Sequence, residues 1–374
     1  MNRRYILPAA AVIIVAGALL AAPTARMLVR IPAVQARLVA RGMAANFAAN
    51  QAGNDLVNAQ SLRVILCGTA SPIPSATRAG PCALVTAGGH MWLVDAGGGS
   101  WRNIMLWHLP IDKLSAVLLT HFHSDHIQDL GEVNMQSWVA GRFHPLPVYG
   151  GPGVQQVVDG FTQAYTLDTG YRVTHHGAAT LPPEQGPMVA HTIDAGAGAV
   201  LHEGQTTTVL DQDGMKITAI GVNHAPISPA YAYRFDYAGR SLVISGDTKP
   251  SPAFATAVAG VEVMVHEAQA DEVVSMIRDF MRAQGNTRFT KILTDIQSYH
   301  TTPAEAGTIA NEAGAKLLVL THLTPALPTL LADSIFLSDA QKTRAEPTLL
   351  GHDGLTISLP ANGSAIEATD QSIQ

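Results

Sequence analysis

Residues 120–126 read Thr-His-Phe-His-Ser-Asp-His, which places three imidazoles and one carboxylate within six positions. Imidazole nitrogens and carboxylate oxygens are the donors that zinc takes in a close, roughly tetrahedral array. In a loop at the end of a strand, His121 and His123 can face one ion while Asp125 and His126 turn toward a second. Further candidate donors also end apolar runs: His224 follows Ile217–Val222, Asp247 follows Leu242–Ser245, and His322 follows Leu317–Thr321. Asp95 closes the run Met91–Val94 and is placed to orient a ligand histidine from behind. Only two cysteines are present, so a four-thiolate site is excluded and a metal must be held by His and carboxylate. Such a set suits two zinc ions and also accepts manganese or iron.

These side chains need a scaffold that brings strand ends to one edge. Strands are expected at Arg63–Cys67, Ala83–Ala87, Met91–Asp95, Ala116–Thr120, Lys216–Val222, Tyr231–Phe235, Ser241–Ser245, Val261–Val265 and Leu317–Thr321. Gly88-Gly89 reads as a hairpin turn between the second and third. Ahead of the last strand, Thr302, Pro303 and Glu305 spell a capped helix start, and Gly314 a helix stop. Strands interleaved with helices predict an α/β sandwich.

The 374 residues are 47% hydrophobic and 14% charged, so a large core is readily supplied. The net charge of −6 and the lack of a Lys/Arg run argue against nucleic acid as a partner, since backbone binding normally leaves a basic footprint. Arg3 and Arg4 precede the apolar stretch Tyr5–Ala22, the layout of a signal peptide or signal anchor. The chain is thus expected to be exported, to the periplasm or anchored facing it, with membrane attachment through residues 5–22. In that oxidising setting Cys67 and Cys82 are candidates for a disulfide. The expected segments are a leader over 1–26, a helical linker over 27–60, a main domain over 61–360 that carries the donor residues, and a tail over 361–374.

The motif, the Gly-Asp-Thr turn at 246–248, His266-Glu-Ala and His300-Thr-Thr resemble the metallo-β-lactamase superfamily, in its ribonuclease Z-like and arylsulfatase-like branch. The resemblance covers roughly residues 61–330 and implies a four-layer αββα sandwich, here preceded by an N-terminal apolar helix. It implies that His121, His123, His224 and Asp247 bind a first zinc. Asp125, His126 and His322 then bind a second, with Asp247 bridging. It also implies His300 beside the leaving group and His266 behind the ligands.

Segments 67–72, 78–82 and 164–177 look more like exported arylsulfatase-type members, which places Arg172, His175 and His176 on a substrate rim. The leading expectation is therefore a metal-bridged hydroxide attacking a sulfate ester, with a small anionic ester as partner and no nucleic acid. Phosphodiester hydrolysis of ribonuclease Z type is the alternative, followed by lactone or other ester hydrolysis and, last, a non-catalytic binding protein. No oligomeric state follows.

Overall fold

A computed structural model describes residues 31–58 and 60–371. The apolar stretch 5–22 lies outside the described residues, so the expected N-terminal apolar helix does too. Among the described residues no helix is long and apolar enough to cross a membrane. The chain divides into two compact units at Ala52/Gly53. The described part of the first unit is helical, within a helix that runs Pro32–Asn58.

Among the described residues the second unit carries fifteen strands. In chain order they are β1 (Ser61–Gly68), β2 (Cys82–Ala87), β3 (His90–Val94), β4 (Leu114–Leu118), β5 (Leu146–Gly150) and β6 (Met188–Thr192). Then come β7 (Thr206–Gln212), β8 (Met215–Gly221), β9 (Tyr231–Tyr237), β10 (Arg240–Ile244) and β11 (Val263–Gln269). β12 (Leu317–Thr324), β13 (Thr348–Leu350), β14 (Leu355–Pro360) and β15 (Glu367–Asp370) complete the set. One sheet has the order β15-β14-β1-β2-β3-β4-β5-β6 and the other β13-β12-β11-β10-β9-β8-β7. Both are mixed: β3 to β6 and β10 to β13 pair in parallel, the rest antiparallel. The segment expected as a tail carries β15, paired to β14.

Period-two alternation sorts the strand residues into layers. Leu62, Val64 and Leu66 of β1 join Tyr233 and Phe235 of β9 in the core between the sheets. Ile65 and Cys67 point the other way and pack with Ile104 and Val133 of flanking helices. On the far side, Val243 and Met264 pack with Phe254 and Ile309 of helices Pro252–Ala257 and Pro303–Ala313. Helices therefore cover both outer faces of a two-sheet sandwich.

Local signals act as expected. Gly88 and Gly89 take φ of 58° and 88° in the β2–β3 turn, where a side chain at Gly88 would stand 3.1 Å from the Tyr237 hydroxyl. Thr302 accepts from the Glu305 amide and Glu305 accepts from the Thr302 amide, closing the capping box, and Gly314 ends the helix at φ 72°. Cys67 and Cys82 form a disulfide joining the end of β1 to the start of β2, with Cα atoms 5.0 Å apart.

Candidate metal centre

β8, β10, β11 and β12 run the same way, so their C-terminal ends share one edge of the second sheet. His224 follows β8 and Asp247 follows β10. The end of β4 is tied to this edge by the Tyr231 amide, which donates to the Thr120 carbonyl at 2.9 Å. That tie brings the loop of His121, His123, Asp125 and His126 over the strand ends. His322 does not follow a strand that stops at Thr321, as expected. It lies inside β12 as a bulge, skipped in the pairing with β11, at φ 47°. Bulges re-aim side chains beside functional sites.

The result is one cluster. Asp247 Oδ2 lies 3.4 Å from His322 Nε2, 3.5 Å from His126 Nε2, and 3.9 Å from both His121 Nε2 and His224 Nε2. Asp125 Oδ2 lies 3.5 Å from His126 Nε2 and from His322 Nε2. His121 Nε2 and His123 Nδ1 converge to 2.9 Å. Two separate donor groups result, His121/His123/His224/Asp247 and Asp125/His126/His322, and a third, Asp247/His300/His322, draws on both, with the donor atoms of each within 4.8 Å of one another.

The chemistry of these atoms fits a pair of cations. His126 Nε2, His224 Nε2, His322 Nε2, Asp125 Oδ2 and Asp247 Oδ1 are buried and have no hydrogen-bond partner in the protein. Each such group costs about 1–3 kcal/mol if left unpaired; these five converge in the donor groups, while others, such as Trp92 Nε1 and His266 Nε2, lie apart from them. Burial pushes His121 well down and His224 to about 4, which favours the neutral, ligating imidazole. Burial would raise the Asp247 carboxyl, but His322 and His126 outweigh it and hold it well below the usual range.

The outer nitrogens of His126 and His224 are held, while His322 Nδ1 has no partner in the protein. Asp95 Oδ2 bonds His126 Nδ1 at 2.8 Å and also accepts from the Thr120 hydroxyl. His224 Nδ1 donates to the Tyr299 carbonyl at 2.9 Å. His300 Nδ1 is bonded to Glu267 Oε1 at 2.9 Å, and a donor atom of His300 also falls within reach of Asp247 and His322. Glu267 further accepts from the Thr248 amide.

Glu267 and Tyr299 were not singled out from the sequence. A signal existed for Glu267: along β11 it shares a face with Val263 and Val265, which point into the inter-sheet core, whereas His266 alternates with Met264 toward the helices. Accordingly His266 packs edge-on against Phe254 and donates from Nδ1 to the Glu267 carbonyl, facing away from the cluster.

The expected rim is not assembled. Residues 164–177 are mostly the C-terminal half of a helix, Val154–His176. Arg172 is engaged by Asp168 one turn back at 2.8 Å, and the exposed His175 and His176 touch each other. Among the described residues none of the three touches the cluster. Helical periodicity spends their contacts within their own helix.

A two-sheet αββα sandwich with a His/Asp double site on one edge defines a metallo-β-lactamase-type hydrolase. Residues 90–323 match the beta-lactamase superfamily domain, and the chain belongs to that superfamily. Ribonuclease Z of Mycobacterium bovis (strain BCG / Pasteur 1173P2) is 37% identical over 269 residues, covering 71% of this chain and 87% of the relative. In fold, the chain is similar to the metallo-beta-lactamase fold protein YhfI from Bacillus subtilis, with a TM-score of 0.57 at 22% identity over 80% of this chain and 100% of that one. Human tRNase Z, short form, gives a TM-score of 0.57 at 21% identity over 80% of this chain and 99% of that one.

The protein is thus a superfamily hydrolase of ribonuclease Z-like type. The relationship overturns the expected partner, a small anionic ester with no nucleic acid: the relative that matches over most of its own length is a ribonuclease. The arylsulfatase reading finds no support beside it. The exclusion failed because net charge is a property of the whole surface, while a site that grips a few phosphates contributes little to it.

Proposed function

We propose that this protein is a metal-dependent phosphodiesterase that hydrolyses the backbone of RNA. One observation carries the reading: Asp247 stands within 3.9 Å of four histidines, two from each donor group, in a chain 37% identical to a ribonuclease Z. In this reading His121, His123, His224 and Asp247 hold one ion, and Asp125, His126 and His322 hold the other with Asp247 shared. Zinc suits the donors, and manganese or iron is compatible with them. When bound, such a pair supplies Lewis acidity toward a phosphoryl oxygen and makes a water acidic near neutral pH.

The chain's own residues do the rest. Asp95 and the Tyr299 carbonyl fix the rings of His126 and His224 so that each Nε2 stays turned inward. Glu267 fixes His300 through Nδ1, leaving Nε2 to donate a proton to the ribose oxygen as the phosphorus–oxygen bond breaks. His266 supports the strand from its helix-facing side and takes no part in the chemistry.

The test is metal content and RNA cleavage by wild type, Asp247→Ala and His300→Ala. Wild type is expected to carry about two ions per chain and to cleave RNA. Asp247→Ala should lose both metal and cleavage. His300→Ala should keep its metal and lose about 100-fold or more in rate. A folded, metal-loaded wild type that leaves RNA intact sinks the proposal. We also propose export to an oxidising compartment, supported by Arg3 and Arg4 ahead of the apolar run 5–22 and by the Cys67–Cys82 disulfide. Recovery of the protein solely in the cytoplasmic fraction of its host would refute export.

A further inference from the structure

A groove of about 480 Å³ is lined by Phe122, Ile127, Gln156, Val157, Gly160 and Phe161, among others. Phe122 is the residue between His121 and His123, and Ile127 follows His126, so two of the groove's side chains come from the segment that carries four of the donors. Two glycines make room for the Phe122 ring: a Cβ at Gly150 or Gly153 would stand 3.3 or 3.2 Å from it. Phe122 and Phe161 are both half-buried and pack on the core behind them. Among the described residues neither ring has an aromatic partner, and the Gln156 amide has no hydrogen-bond partner. No residue lining the groove is charged, so it offers nothing to a phosphate. Unpaired rings in an apolar slot suit a flat, uncharged face, and every nucleobase presents one.

We infer that this groove receives a nucleobase of the substrate strand, the one flanking the scissile phosphodiester, stacked on Phe122 or Phe161. The inference rests on the RNA reading above and adds a specificity-determining subsite to it. Because stacking is sequence-tolerant, the subsite selects for the presence of an unpaired base and not for its identity.

Gly160 supplies the test. A Cβ there meets nothing within 4 Å, so a side chain at Gly160 starts in open space and Gly160→Leu is expected to narrow the groove; in a helix the change favours the fold. Wild type and Gly160→Leu would be assayed on a short single-stranded RNA, intact or with the base beside the cleavage site removed. The same RNA with 2-aminopurine at that position reports stacking by fluorescence quenching. Wild type is expected to lose about tenfold or more in kcat/KM without the base, in keeping with one stacked base. Gly160→Leu should cleave both RNAs alike, near the rate of wild type on the abasic strand, and should not quench 2-aminopurine. A variant that slows both RNAs by the same factor, or a wild type indifferent to the base, overturns the subsite. Quenching by wild type without cleavage upholds the groove and defeats the hydrolysis proposal. Neither cleavage nor quenching defeats both.

Discussion

Asp247 and Glu267 are buried carboxylates with different surroundings, and the difference predicts different phenotypes. Asp247 sets Oδ2 among four histidines, whereas Glu267 spends Oε1 on His300 and on the Thr248 amide, and each carboxylate leaves its other oxygen without a partner. Glu267→Ala is therefore expected to retain metal while activity falls about 10- to 100-fold, the usual cost of losing an outer-shell partner. Glu267→Gln keeps an oxygen that accepts from both groups and should restore most of the rate. Metal analysis beside steady-state kinetics checks this, and loss of metal in Glu267→Ala would show that the residue belongs with the ligands.

The elements that carry the site are pinned by two devices away from it. The Cys67–Cys82 disulfide ties β1 to β2 across 15 residues. Closing a loop of that length is worth about 3 kcal/mol in the chain-entropy picture. A Cys67→Ser/Cys82→Ser variant should unfold at lower denaturant by that amount with unchanged metal content, and an unaltered midpoint would refute it.

The second device joins the sheets. Arg240 of β10, almost wholly buried, bonds Glu262 at 2.8 Å and donates to the carbonyls of Pro360, the last residue of β14, and of Ala365 beyond it, while Lys316 reaches the same glutamate at 2.9 Å. Burial would raise the Glu262 carboxyl, but the bonds from Arg240 and Lys316 prevail and hold it below its ordinary value. A lowered carboxylate stabilises the fold above its unfolded pKa and loses that contribution as pH falls through the folded one. Glu262→Gln should thus melt below wild type at pH 7, and the gap should close as pH drops below about 4. A gap independent of pH would mean that packing, and not charge, sets the effect.

At the scale of the whole molecule, the two compact units make a simple prediction. The unit from Gly53 onward holds both sheets and every residue of the donor cluster. A chain starting at Gly53 should fold, bind metal and cleave as the longer chain does. Thermal melting and metal content compared between the two would expose dependence on residues 31–52.

Much of this was written in local patterns. The motif at 121–126, the apolar runs before Asp247 and His322, the capping box at Thr302 and the paired cysteines depend on neighbours in the chain, and periodicity and donor type report those directly. Tertiary structure decided what depends on approach from elsewhere. It made His322 a bulge inside β12 instead of a strand end, and it chose Glu267 over His266 by which face of β11 meets the site. It folded most of 164–177 into a helix in which Arg172 pairs with Asp168. It also placed Phe122 over a groove formed with residues some forty positions on. Side-chain identity states which chemistry is available, but the face, the register and the neighbours that commit it are set only when distant strands pack.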